Sequence, residues 1–348
     1  MDRHVLGGWV IGLAAAVTFG AGTPFAKLLL EDTRPQLLAG LLYLGAFVVL
    51  VAVQPFRRRS REARLRAADA PRLIALVACG GVVAPVLLLV GLDRVSGSAG
   101  SLLLNLEGPC TMAIGLVVFG EHLGRRAWFG AAIVFGGGAL LSLNGSAGSL
   151  DAVGALCIAV ACLLWGVDNN LTQSLTLRDP FSIVAVKAGA AAAVNIALAA
   201  LLGVAWPSAP VMLGALAVGA LAYGVSIVLD AYALRSLGAA REAVVFSTAP
   251  FVGALLALPV LSETLSATEV VAGAAMVVGL VLMLGERHEH EHVHEPLVHD
   301  HLHELDEHHR HDHDEAAPPG ETHAHEHRHT ALRHRHRHLS DVHHRHPH

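Results

Sequence analysis

The chain reads as an all-α integral membrane protein. Ten transmembrane helices are expected, set as two inverted five-helix repeats and followed by a disordered C-terminal tail. Three observations predict this. Of the 348 residues 53% are hydrophobic and only 15% charged, against roughly a quarter charged in soluble domains. Apolar runs of about 18 to 22 residues recur along most of the chain, each long enough to cross a bilayer. The second half of that apolar region also repeats the first. The runs are continuous rather than alternating, which excludes a β-barrel.

Taken in order, the expected spans are 7–29, 36–53, 73–92, 96–119, 127–143, 152–174, 181–203, 211–230, 237–260 and 268–285. The first is a retained helix rather than a signal peptide. Its basic flank is only Arg3, and apolar character runs on to Leu30. Residues 1–145 form the first repeat, 146–286 the second, and 287–348 the tail.

Loop charge sets the orientation. The stretch "RRRSREARLRAADAPR" carries Arg57, Arg58, Arg59, Arg61, Arg64, Arg66 and Arg72, and is expected on the cytoplasmic side. Alternation then brings Arg125, Arg126, Arg178, Arg235 and Arg287 to that side, while "NGSAGSL", "AWPSAP" and "SETLSATE" hold no Lys or Arg. Arg34 and Arg94 are the exceptions. The expectation is a multi-pass protein of a bacterial inner membrane with both termini cytoplasmic.

The repeat is visible in particular residues. "GLAAAVTFGAGTPFAK" (Gly12–Lys27) lies on "IAVACLLWGVDNNLTQ" (Ile158–Gln173), matching Gly20 to Gly166. "NLEGPCTMAIGLVVFGEHL" (Asn105–Leu123) lies on "FSTAPFVGALLALPVLSETL" (Phe246–Leu265), so Pro109 matches Pro250 and, after one gap, Glu121 matches Glu263. Gly130 and Gly273 open corresponding glycine-rich helices. The offset stays at about 140 to 146 residues. Five helices per copy is an odd number, so the second copy inserts upside down, an arrangement that puts a substrate site between the halves.

The "FG" and "WG" of spans one and six, the prolines of spans four and nine, and "GEHL" and "SETL" resemble the EamA-type transporters of the drug/metabolite transporter superfamily. The resemblance covers about residues 8–285. It implies a ten-helix bundle, with a cavity lined by helices 1, 3, 4, 6, 8 and 9, that exports or exchanges small metabolites. The tail inherits nothing from it.

Ionisable groups within a bilayer are costly and tend to face cavities or one another. At 1.5 Å per residue, Glu107 falls about 16 Å deep, near the midplane. It stands two residues before Pro109, where a missing N–H frees a carbonyl. A carboxyl there suits proton coupling or recognition of a cationic substrate. Asn105 is about a turn away, and Tyr223 is at similar depth. Asp168 and Lys187 fall at equal depth on consecutive helices, roughly 10 Å inside the cytoplasmic end, which predicts an ion pair. Glu242 shares their level. Asp168, Asn169, Asn170 and Trp165 are expected at the cytoplasmic mouth of the cavity. Lys27 is expected to snorkel, and Asn169 and Asn170 can also act as interhelical hydrogen-bond glue. Glu121 and Glu263 read as loop or cap residues, and the glycines of "FGGGALL" and "VAGAAMVVG" as packing positions. Cys79, Cys110, Cys157 and Cys162 sit in apolar runs and read as small hydrophobes.

Beyond Arg287 the character changes, with 22 of the 24 histidines at or past His288. The His-x-His spacing of His288, His290, His292, His294, His299, His301 and His303 suits a divalent Zn, Ni, Co or Cu ion. No cofactor is required. The expected function is secondary transport, most simply export of a small organic metabolite or drug-like solute, with protons as a coupling ion. A divalent-metal exporter with a metal-gathering tail is the alternative. A membrane-anchored metal buffer or sensor is a third possibility, although an anchor needs only one span. No enzyme motif and no nucleic-acid-binding basic face is present.

Overall fold

A computed structural model describes residues 3–56, 65–119, 124–143, 152–175, 178–237, 245–284, 288–294, 298–303, 323–328 and 332–338. Among these residues the chain builds ten helical rods. They are α1 (Arg3–Leu29), α2 (Pro35–Val53), α3 (Ala67–Arg94), α4 (residues 97–119), α5 (Arg125–Leu143), α6 (Ala152–Gln173), α7 (Pro180–Leu201), α8 (residues 209–237), α9 (Ala249–Leu261) and α10 (Ala267–Leu284). Seven of them, α1 to α4 and α6 to α8, hold segments long and apolar enough to cross a membrane. Helices α9 and α10 are apolar but shorter, and α5 carries Arg125 and Arg126 in its first turn.

Three rods are interrupted. Residues Val77–Val83 of α3 and Gly219–Val225 of α8 wind as π-helix, and Leu104–Leu106 of α4 as 3-10 helix. A π-turn displaces the ladder of backbone bonds by one residue, so its carbonyls turn outward and are open to other donors. The 3-10 turn has a different origin. It ends just before Glu107, so Pro109 falls in the first turn of Glu107–Phe119, where its missing N–H costs least.

Close packing rests on glycine. A Cβ on Gly45 would fall on the Leu216 carbonyl, and one on Gly219 on the Leu42 carbonyl, so α2 and α8 cross backbone to backbone. Gly130 and Gly279 meet each other's carbonyl where α5 packs on α10, and Gly20 meets Ala249 where α1 packs on α9. The remaining main contacts join α2 to α7, α1 to α8, and both α3 and α4 to α6. Lipid-facing sides show as apolar stripes. On α6 these are Val153, Leu156, Val160 and Leu163, 52, 63, 36 and 47% exposed at helical spacing.

One boundary is corrected. The eighth span was expected to end at residue 230 and runs on to Leu237; of the ninth, expected over 237–260, residues 245–246 are helical, 247–248 form a turn and α9 follows from Ala249, while 238–244 lie outside the described residues. Pro250 falls in the first turn of α9, where proline is accommodated. The tail was expected to be disordered. Four of its stretches pair as antiparallel backbone ribbons, His288–His294 with Leu332–His338 and Val298–His303 with His323–Arg328. Lone two-stranded ribbons are only marginally stable in water.

Gly219→Ala should lower the melting temperature of the detergent-solubilised protein, with overpacking costing about 1 to 3 kcal/mol. Gly136→Ala, where a Cβ meets nothing within 4 Å, should leave it unchanged or raise it.

Candidate functional site

The π-turn of α3 is the anchor of the site. The Gly80 carbonyl accepts from Tyr43 Oη of α2 at 2.8 Å and from Trp165 Nε1 of α6 at 3.2 Å. The neighbouring Gly81 carbonyl accepts from Asn195 Nδ2 of α7 at 3.1 Å. Three helices thus bond to carbonyls that the π-turn releases. A Cβ at Gly80 would fall inside the Asp168 carboxylate, so only glycine lets that side chain lie flat on α3.

Asp168 is buried, and Lys187 Nζ of α7 donates to its Oδ2 at 2.5 Å. Its other oxygen, Oδ1, is buried with no hydrogen-bond partner among the described residues. The expected ion pair is there, between consecutive helices. One residue on, Asn169 Nδ2 donates to Glu107 Oε1 at 2.8 Å and to Thr111 Oγ1 at 3.2 Å. Asn170 turns back, donating to the Thr111 carbonyl at 3.0 Å and the Gly166 carbonyl at 2.8 Å. The Glu107 carboxylate and the Asp168–Lys187 ion pair, expected at separate depths, are therefore neighbours linked through α6.

Asn169 is exposed, yet it lies six residues past Leu163, about 240° round the helix. That is the side of α6 opposite its lipid-facing stripe. Gly108 behaves likewise on α4. It is exposed, a Cβ there meets nothing within 4 Å, and it lies two and a half turns from the lipid-facing Val117. Half-buried Phe19 is two and a half turns from Val10, which opens the exposed stripe of α1. Exposure on the inward faces of three helices marks open space inside the bundle, and Glu107 borders it. An aromatic row runs alongside, with ring centroids 5.2 Å apart for Phe19 and Phe246, 6.1 Å for Phe19 and Tyr223, and 5.5 Å for Tyr223 and Tyr43.

At the other end of α4 the two halves of the chain are clasped. Ser262 takes a left-handed conformation, φ 54°, that ends α9 and turns the chain. Glu263 then receives Gly97 N at 2.6 Å, and Ser98 N and Ser98 Oγ both at 2.9 Å. Glu269 of α10 accepts from Ser98 Oγ at 2.6 Å and Ser96 Oγ at 3.2 Å. Carboxylates at a helix N-terminus satisfy its free N–H groups and its dipole. Glu263 is a cap, as expected, but of α4 rather than of its own neighbours.

Other residues fall elsewhere. Lys27 Nζ donates to the Leu92 carbonyl at 2.7 Å, in the last turn of α3, where carbonyls lack intrahelical donors. Asn105 bonds Leu102 O at 2.9 Å and Met276 Sδ at 3.8 Å, a packing contact with α10 and not part of the Glu107 group. Glu242 and Glu121 lie outside the described residues, as do the side chains of His288, His290, His292, His294, His299, His301 and His303. Among the described residues no three His, Cys, Asp or Glu side chains are grouped to hold a metal ion. Tyr43, Gly80 and Thr111 were not singled out in the sequence. For Tyr43 a signal was there, as the lone phenol in an otherwise apolar span.

A bundle of apolar helices with buried charge and an interior opening defines a multi-pass membrane protein of the transporter class. The EamA-like transporter family model matches residues 6–143 and again 152–285, and the chain belongs to that family. It is similar to an uncharacterized transporter of Methanothermobacter thermautotrophicus, 25% identical over 295 residues that make up 80% of this chain and 86% of that one. A solved crystal structure superposes with a TM-score of 0.60 at 19% identity, over 79% of this chain and 95% of its own, which shows the common fold.

Asp168→Asn and Lys187→Met should each destabilise the protein, because a lone buried charge is costly whereas a pair, or neither, is less so. The double variant should recover stability, with a coupling on the order of 1 to 3 kcal/mol in denaturant titrations. Strictly additive losses would show that the contact contributes nothing.

Proposed function

We propose that this protein is a secondary transporter exporting a small organic solute through a pathway between its two halves. The Glu107 carboxylate carries the reading, held by Asn169 beside open space within the membrane-spanning bundle. A carboxylate there can take up and release a proton, or meet a charged group on the solute. The ion pair of Asp168 and Lys187 borders the same wall.

Ten spans in two inverted repeats are the architecture we infer. In support, the family model matches twice, and the two π-segments begin at Val77 and Gly219, 142 residues apart, within the offset of the sequence repeat. The packing is also symmetric under exchange of halves: α1 on α8 mirrors α6 on α3, and α1 on α9 mirrors α6 on α4. Cytoplasmic termini in an inner membrane follow from the arginine-rich loop. Arg178 Nε lies 2.9 Å from Asp69 beside that loop, which supports a common side for both basic regions. Cysteines introduced into "NGSAGSL" and "AWPSAP" should react with an impermeant thiol reagent in intact cells, and one at Arg61 should not; the reverse pattern overturns the orientation.

A divalent-metal exporter is the second reading, favoured by the histidines of the tail. Truncation after Arg287 separates the two. The shortened protein, loaded into vesicles with an outward proton gradient, should move an organic solute at a rate close to that of the full chain while losing most zinc binding. Solute movement that vanishes with the tail would favour metal export, and a full chain that moves no solute from a broad panel would remove the transporter reading.

A further inference from the structure

The charges and rings around the opening specify a ligand. Asp168 and Lys187 neutralise each other, whereas Glu107 has an amide donor and no cation within ion-pair distance among the described residues. A lone carboxylate inside a bilayer calls for a proton or a bound cation. One carboxylate and one amide are too few ligands for a metal ion, which takes four or more. An aromatic row of Phe246, Phe19, Tyr223 and Tyr43 is drawn from α1, α2, α8 and the segment before α9. It ends at the Gly80 carbonyl, which Tyr43 shares with Trp165, one turn before Asn169. Phe19 and Phe246 are half-buried, so their rings are partly uncovered, and Phe19 faces inward. Ring faces attract organic cations through their quadrupoles and take up an apolar body at the same time.

We propose that the site takes an organic cation, a protonated amine bearing an aromatic or bulky apolar group. The ammonium sits on Glu107 and the body lies along the partly uncovered rings of Phe19 and Phe246. This rests on the transporter reading and names its substrate class.

Three small molecules test it by calorimetry on the full-length protein in detergent. Phenethylamine carries both features, phenylacetate has the ring with the opposite charge, and butylamine has the charge without the ring. Phenethylamine should bind, with phenylacetate and butylamine each at least about tenfold weaker. Glu107→Gln should weaken phenethylamine by about tenfold or more, and Phe19→Leu by about fivefold. Glu31→Gln, which removes an exposed acid at the end of α1, should leave it unchanged. Absence of phenethylamine binding, equal binding of phenylacetate or butylamine, or indifference to Glu107→Gln would overturn the proposal. If either site variant loses its monodisperse profile, the ranking of the three ligands on the natural protein decides. A protein that moves some other solute yet fails this ranking loses only the cation class. One that gives the ranking but moves no solute loses the transporter reading instead.

Discussion

Inside a bilayer a backbone carbonyl that has lost its helical partner cannot turn to water, and leaving it bare costs several kcal/mol. The π-turn of α3 creates this problem at Gly80 and Gly81, and its solution organises half of the bundle. Tyr43, Trp165 and Asn195 bring the donors, one each from α2, α6 and α7. Because Gly80 has no side chain, the Asp168 carboxylate can rest against the same turn and meet Lys187 there. Four helices are tied at one point by polar contacts, in surroundings where apolar side chains alone would not distinguish protein from lipid.

That knot fixes the rotation of α6, and with it the direction of its polar end. Asp168, Asn169 and Asn170 are consecutive, so they leave the helix about 100° apart. With Asp168 pinned to α3 and α7, Asn170 falls on α4 and Asn169 faces the interior beside Glu107. The open, carboxylate-bearing wall thus follows from a buried pair that never needs to touch a solute. At the opposite end of α4, Glu263 and Glu269 hold Gly97 and Ser98, so the helix that carries Glu107 is clasped by the second half of the chain. Movement of one half against the other must open that clasp or carry it along.

Depth reckoned along the helices was enough to bring Asp168 and Lys187 together, because two helices joined by a short loop share their level in the membrane. The same reckoning put Glu107 and Asp168 in separate groups. It carries no information on azimuth between helices distant in sequence, and their link through Asn169 depends on azimuth. The partner of Lys27 was hidden for a related reason, since only the packing of α3 brings the Leu92 carbonyl to its Nζ. Tyr43 and Thr111 escaped notice because a hydroxyl in an apolar run looks the same whether it bonds its own helix or a neighbour's.

What the sequence determined by itself is the membrane class, the family and the approximate limits of the rods. The class and the limits follow from composition and periodicity along one dimension, since lipid permits few alternatives for a long apolar segment, and the family follows from the resemblance of a few short motifs. The tertiary structure decided which polar groups meet. The π-turns leave no sequence mark beyond a few glycines and arise from helices pressed backbone to backbone, as Gly219 is on Leu42. Where Asn169 points, and whether Glu107 faces lipid, protein or open space, depends on the rotation of each rod about its axis. Packing sets that rotation, since apolar side chains on either face of a helix satisfy the bilayer equally well.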